Sequence, residues 1–182
     1  MQRRKFISCA AVATSLLTTR NLAAQKRAKK GFMVKSGESR FKETIKLFGK
    51  SPNDNKISTE DTEGDLAVFE YTGMEKGGPP MHLHLNQDEI FYVVMGEYNF
   101  QVAEEKYNLK AGDIIFLPRK VPHTFAQLTE QGKMLFLLTP AGKMEDYFKT
   151  IGALKAMPTP QEGAKIFENH EMQVVGPPLK WD

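Results

Sequence analysis

The chain has 182 residues, 41% of them apolar and 26% charged, a globular composition and a length that favour one domain, or one with a short tail. The net charge is +3, but the first 24 residues hold four basic and no acidic side chains, leaving 21 basic and 22 acidic ones elsewhere. This balance excludes nucleic-acid binding as the main role of the folded part, and the single cysteine, Cys9, excludes a disulfide framework.

Residues 1–24 are predicted to be a signal peptide of the twin-arginine type. The pair Arg3-Arg4 stands directly before Phe6–Leu17, an uncharged apolar stretch that is too short to span a bilayer as a helix. Ala23 and Ala24 offer a cleavage site of small residues. We therefore expect export to the periplasm, with no stable membrane association once the signal is removed. An ordinary amphipathic tail is the alternative.

Residues 25–60 are predicted to form an N-terminal arm ahead of the main domain. This segment is polar and rich in lysine, with a short strand expected at Gly31–Lys35. An amphipathic stretch follows at Phe41–Phe48, and the cluster of Ser, Pro, Asn and Asp at Ser51–Asn55 predicts a turn.

Residues 61–142 contain short runs rich in β-branched and aromatic residues, separated by Gly and Pro and not by helices. This pattern predicts an all-β domain, a small β-barrel or sandwich. Residues 143–182 are predicted to form a helical flap, with helices at Lys143–Ala153 and Pro160–Glu168 and with Thr159 as the second N-cap. The predicted strands are Leu66–Tyr71, Met81–Leu85, Ile90–Met95, Tyr98–Ala103, Lys106–Leu109, Asp113–Leu117, His123–Leu128 and Lys133–Thr139.

Three histidines and one carboxylate are candidate metal ligands. Side chains two residues apart on a strand share a face, so His82 and His84 point the same way. Glu89 begins the next strand, and His123 follows a turn stiffened by two prolines. Three imidazoles and one carboxylate suit Fe, Mn, Ni, Co, Cu or Zn.

The alternative is a polar cluster without a metal. In that arrangement His82 and His84 satisfy each other, and Glu89 pairs with Arg119 or Lys120. Against it, three histidines and a carboxylate gathered in one barrel without an ion would leave several buried polar groups unmatched, which is costly.

The spacing of these residues resembles two motifs of the cupin superfamily. The resemblance covers about Leu66–Pro140 and implies a cupin jelly roll with one divalent metal on His82, His84, Glu89 and His123. Three positions depart from the usual pattern, but none is a ligand position: a glycine displaced by one residue to Gly77, Lys120 and Gln127. The matching motifs are His82-x-His84-(x)₄-Glu89-(x)₆-Gly96 and Gly112-Asp113-(x)₄-Pro118-(x)₄-His123.

Within that superfamily the chain is similar to the single-domain quercetin 2,3-dioxygenase-like group, through the runs Pro79–His84, Glu89–Val93 and Phe116–Phe125. The likeness implies that Fe(II) or Mn(II), or else Ni, Co, Cu or Zn, meets a chelating enol substrate and O₂. It also implies that Glu89 accepts the substrate's hydroxyl proton. Two alternatives stay open: a redox-neutral metal-dependent isomerase, lyase or decarboxylase, and a non-catalytic exported module that binds a sugar or another small molecule.

Cupins of this size commonly dimerise by exchanging N-terminal strands, so the resemblance also implies a homodimer with Gly31–Lys35 as the exchanged strand. Such an exchange would cover exposed sheet edges.

Strand alternation places several side chains near the predicted metal and Tyr92 on the opposite face. Glu70 is a weak candidate for an acid in the pocket, and His170 is interpreted as a solvated residue without a role. A largely apolar lining favours an aromatic ligand over a sugar, although aromatic residues also form ordinary barrel core. The predicted pocket residues are Phe91, Met95, Phe125, Gln127 and Phe136.

Overall fold

The computed structural model describes residues 27–180, so the predicted signal peptide lies outside the described residues. Two antiparallel sheets face each other, and two helices precede the last strand. This confirms the predicted all-β class and its C-terminal helices.

The elements are β1 (Ile45–Leu47), β2 (Ser51–Ile57), a 3₁₀ turn (Thr59–Thr62), β3 (Ala67–Gly73), β4 (Pro80–His84), β5 (Asp88–Met95), β6 (Glu97–Val102), β7 (Glu105–Lys110), β8 (Ile114–Leu117), β9 (His123–Gln127), β10 (Gly132–Thr139), α1 (Met144–Gly152), α2 (Pro160–Asn169) and β11 (Met172–Pro178).

The six-stranded sheet has the order β1-β2-β3-β10-β5-β8, and the five-stranded sheet has the order β11-β4-β9-β6-β7. Alternate residues of each strand point into the space between the sheets, so β5 buries Glu89, Phe91 and Val93 and leaves Tyr92 half-exposed. The sheets therefore enclose an aromatic core into which a few polar side chains also point. Its buried apolar members on the strands include Phe69, Phe91, Tyr98, Phe100, Leu117, Met134, Phe136 and Leu138.

The N-terminal arm contributes β1 and β2 to the six-stranded sheet, and two predictions about it are corrected. Ser51–Asn55 is not a turn but part of β2, because β1 and β3 both pair with this run and outweigh its turn-forming composition. Asp54 accepts a hydrogen bond from Thr44 Oγ1 at 2.7 Å. Gly31–Lys35 forms no strand within the described chain.

The flap after β10 has both predicted helices and one unforeseen strand. Thr159 caps α2 in a capping box with Glu162, as its position before Pro160 predicts. The chain then returns as β11, an edge strand that pairs with β4 through irregular register. Its glycine and two prolines have low strand propensity, so the sequence pattern does not predict a strand here. An edge strand with register shifts nevertheless tolerates prolines.

The outer face of the six-stranded sheet carries a row of exposed apolar side chains, which we call the β5–β8 face. Tyr92 pairs in register with Ile114, and Ile90 pairs with Phe116. Ile114 is 68% exposed and Phe116 is 55% exposed, on a strand at the sheet edge. A contiguous apolar surface of this kind marks an interaction site more often than an ordinary surface.

Between residues 27 and 180, no helix has the length and apolar character needed to cross a membrane.

Candidate metal centre

Strands β4, β5 and β9 bring the four predicted ligands together between the sheets. His82 and His84 share the inner face of β4, Glu89 lies on the inner face of β5, and His123 begins β9 as the register partner of His82. All four side chains are buried, and one potential ligand atom from each lies within 4.8 Å of the others. The cluster forms because two strand pairs and the period-two alternation converge at one point.

Backbone carbonyl groups orient two of the imidazoles. His82 Nδ1 lies 2.8 Å from the carbonyl oxygen of Pro80, and His123 Nδ1 lies 3.0 Å from that of Val121. An Nδ1–H that donates to a carbonyl leaves Nε2 as the lone-pair nitrogen, which is the usual arrangement around metal-binding histidines. Lys120 N donates to the carbonyl oxygen of His84 at 2.7 Å and ties the β8–β9 turn to this strand.

Several buried nitrogens at this centre have no hydrogen-bond partner among the described residues. They are both ring nitrogens of His84 and Nε2 of His123. The two Nε2 atoms lie 3.4 and 3.3 Å from Glu89 Oε2. Burying unmatched polar atoms is unfavourable, and a cation held between the carboxylate and the imidazoles would satisfy the two Nε2 atoms. The donor set therefore fits a divalent transition metal.

Burial and mutual repulsion set the protonation states of the centre. Burial lowers the pKa of His82 to about 3, with further lowering from the charges of His123 and His84. For Glu89 burial acts in the opposite direction, but His84 and His123 outweigh it and hold the pKa below its usual range. A neutral His82 and an ionised Glu89 are the forms that bind metals.

Arg119 pairs with Asp88 at 2.6 Å, so one of the two basic residues that the alternative without a metal offers to Glu89 is engaged elsewhere. Hydrogen bonds from Arg119 lower the pKa of Asp88 to about 2. This exposed pair lies beside the centre and fixes the turn before β9 to the start of β5.

The cluster opens onto a cavity of about 370 Å³. Three of the predicted pocket residues, Phe91, Phe125 and Phe136, line it. The helical flap supplies a further wall that the strand-based prediction omitted, and the ring of Phe167 packs 5.2 Å from that of His82. The sequence did contain a signal for this wall, because α1 carries apolar residues at helical spacing. The lining residues from the flap are Met144, Tyr147, Phe148, Ile151, Met157, Phe167, Met172, Pro178 and Leu179.

Two predicted pocket residues lie elsewhere. A register shift between β10 and β5 pairs Lys133 with Met95 and Met134 with Val93, so the strand alternation ends before Met95, which is 44% exposed. Gln127 is buried, but protein groups satisfy its amide: it donates to the carbonyl oxygen of Thr129 at 2.9 Å. Neither residue lines the cavity.

Two further expectations are corrected. Glu70 faces outward from β3, where it accepts a hydrogen bond from Gly37 N at 2.7 Å and pairs with Lys56 and Lys133. It is therefore an anchor for the arm and not an acid in the pocket. His170 is half-buried, because it ends α2 and its ring lies 5.6 Å from that of Tyr147.

Comparison with protein families identifies the region that carries the centre. The family model described as a cupin domain matches residues 64–140, which include all four clustered residues. Over this range the chain is similar to a cupin domain. The cupin match begins just before β3 and ends just after β10.

Solved structures of similar fold agree with this assignment. The structure of KdgF from Halomonas sp. is 20% identical, with a TM-score of 0.52, and the match covers 61% of this chain and 94% of that one. A predicted oxalate decarboxylase from Thermotoga maritima is 19% identical, with a TM-score of 0.51, covering 60% and 99%. Likeness at this level of identity shows the cupin fold alone.

Among curated proteins, an uncharacterized protein of Methanocaldococcus jannaschii is 37% identical over 43 residues. The match covers 24% of this chain and 34% of that protein, so it spans about a third of the relative.

Proposed function

We propose that this cupin is a metal-dependent oxidoreductase of the dioxygenase type that acts on a small enol or flavonol-like aromatic substrate with O₂. One observation carries the proposal: the buried cluster of three histidines and Glu89 opens onto a cavity lined mainly by aromatic and aliphatic side chains. A volume of about 370 Å³ lies within the range of small-molecule sites. Apolar walls favour a planar aromatic ligand over a sugar.

Different residues of the cavity would bind the substrate, accept its proton and donate a hydrogen bond to it. Phe91, Phe125 and Phe136 bind the rings of the substrate and exclude water. Glu89, ionised and buried, accepts the proton of the substrate's hydroxyl group. Burial, and then the charge of Glu89, raise the pKa of Tyr147, so this lining residue stays a neutral phenol that can donate a hydrogen bond. Fe(II) or Mn(II), or another divalent ion on the four ligands, would supply Lewis acidity and redox chemistry.

We also propose that the mature protein acts in the periplasm as a homodimer. The twin-arginine sequence at residues 3–4 supports export. The β5–β8 face supports self-association, because burying Tyr92, Ile114 and Phe116 against a second copy removes apolar area from water and covers an edge strand.

Metal content and oxygen uptake together test the proposal. Protein purified from its own host is expected to hold about one equivalent of Fe, Mn, Ni, Co or Cu, and to consume O₂ when 3-hydroxyflavone is added. His84→Ala should lose both, whereas His170→Gln, which removes the histidine outside the cluster, should keep the metal.

Other outcomes point to other functions. A metal-loaded protein that converts a small acid without consuming O₂ would be an isomerase, lyase or decarboxylase. A protein with no metal, or one that binds ligand without turnover, would be a binding module. Either result would contradict the dioxygenase proposal.

A further inference from the structure

The lining of the cavity includes a second group of polar side chains, on β2 and β3. Ser51, Asn53 and Tyr71 all belong to it. Asn53 and Tyr71 are register partners. Ser51 Oγ accepts a hydrogen bond from Met74 N at 3.2 Å. We call Ser51, Asn53 and Tyr71 the β2–β3 group.

Asn53 is the member without a partner. Its side chain is 1% exposed, and neither Oδ1 nor Nδ2 makes a hydrogen bond with any residue from 27 to 180. Buried side-chain amides are nearly always hydrogen-bonded, because leaving both ends unmatched costs free energy. The row that contains Asn53 is otherwise made of Tyr71, Met134 and Val93, so an apolar residue would fit the fold better here. The unmatched amide is therefore available to a group bound in the cavity.

We propose that Asn53 binds a hydroxyl group at the end of the substrate remote from the metal. This inference rests on the function proposed above. A carboxamide offers one acceptor and two donor hydrogens, so a single hydroxyl group can donate to Oδ1 and accept from Nδ2. Ser51 and Tyr71 are also uncharged at neutral pH, which favours a neutral hydroxyl over a carboxylate.

The separation of the two polar groups sets the shape of the ligand. Asn53 and Val93 lie in the same cross-strand row, and their strands, β2 and β5, are three strand positions apart in the sheet. Glu89 lies four residues before Val93 on β5. With ~4.8 Å between strands and ~3.3 Å per residue, the Cα atoms of Asn53 and Glu89 are ~15–20 Å apart. A two-carbon acid cannot contact both groups, whereas an elongated molecule of two or three rings with a phenolic hydroxyl at its far end can.

Binding of two matched probes tests this inference. Under nitrogen, so that no turnover occurs, the metal-loaded protein is titrated with 3-hydroxyflavone and with 3,4′-dihydroxyflavone, which adds one hydroxyl to the ring remote from the chelating group. The wild-type protein should bind the dihydroxy probe at least tenfold more tightly. Asn53→Leu should reduce that ratio to within about twofold while retaining affinity for 3-hydroxyflavone. Asn108→Leu, an exposed asparagine on β7, is the matched control and should keep the wild-type ratio.

The outcomes separate this inference from the function on which it rests. Equal affinity of the wild-type protein for the two probes overturns the hydroxyl subsite and leaves the dioxygenase proposal intact. Failure of both probes to bind overturns both. A merely structural Asn53 would make Asn53→Leu less stable to heat, whereas removal of an unmatched amide should leave the melting temperature equal or higher. A lower melting temperature together with an unchanged probe ratio therefore counts against the subsite.

Discussion

His82 and His123 are register partners on β4 and β9, and their rings lie 4.6 Å apart. Within residues 27–180 this is the one register pair that joins those two strands. The five-stranded sheet is thus connected across its middle by two of the four residues that cluster as candidate ligands. Binding of a metal there would hold the two parts of the sheet together, as well as serve chemistry.

Metal binding should therefore stabilise the fold. At a free metal concentration 100 times the Kd, the gain is about 2.7 kcal/mol, which corresponds to a rise in melting temperature of about 5–10 °C for a domain of this size. Differential scanning calorimetry with and without a chelator measures it. His84→Ala should abolish the shift, and His170→Gln should keep it. An equal response of wild type and His84→Ala would contradict binding at this cluster.

Glu70 should make stability depend on pH in the acidic range. Burial opposes the shift, but Gly37 N, Lys56 and Lys133 together lower its pKa. Because the folded pKa lies below the unfolded one, its contribution is present above about pH 4.5 and is lost as pH falls through the folded pKa. Glu70→Gln should lower the free energy of unfolding at pH 7 by about 1–3 kcal/mol. Urea titrations should show the two proteins converging at acidic pH; a constant difference would refute this role.

The β5–β8 face should hold a homodimer together. Phe116→Lys places a charge within the apolar row and should give a monomer at micromolar concentration, because a buried unpaired charge is strongly unfavourable. Sedimentation velocity reports the change. Tyr107→Lys, at an exposed aromatic residue on β7 in the other sheet, is the control and should remain dimeric. A wild-type protein that sediments as a monomer would rule out the dimer.

Gly78 should be required for the approach of the β3–β4 loop to β9. A Cβ at this position would lie 1.9 Å from the carbonyl oxygen of Phe125, which is backbone and cannot rotate away. Gly78→Ala should cost about 1–3 kcal/mol and weaken metal binding, because the same loop leads into His82. Gly31→Ala, where a Cβ meets nothing within 4 Å, should behave as wild type in calorimetry and metal titration.

Export should depend on the twin arginines. Changing Arg3 and Arg4 together to Lys should leave the precursor in the cytoplasm, as shown by cell fractionation and immunoblotting. Arg20→Lys, in the same segment, should be exported normally. Periplasmic recovery of the double variant would contradict the twin-arginine route.

The sequence was sufficient to predict the eight central strands, which follow from local rules, and the four residues that cluster at the centre, whose convergence the resemblance to cupin motifs implied. Strand periodicity places His82 and His84 on one face, and β-branched runs between glycines mark the strands. β2 and β11 escaped prediction because their Pro, Gly and Asn residues have low strand propensity. Pairing makes them strands: β2 pairs with β1 and β3, and β11 pairs with β4. Met95 was misplaced because a register shift interrupts the alternation, and the unmatched amide of Asn53 has no signature in sequence.

The pairing of β11 with β4 has a consequence for biosynthesis. His84 is the register partner of Met172, which the ribosome adds 88 residues later. Until that strand has been synthesised, β4 has no neighbour on one side, and the backbone that carries two of the candidate ligands is held from the other side alone. The full geometry of the centre thus arises late in synthesis, after both helices of the flap, and an ion bound by all four residues would find them in place only then.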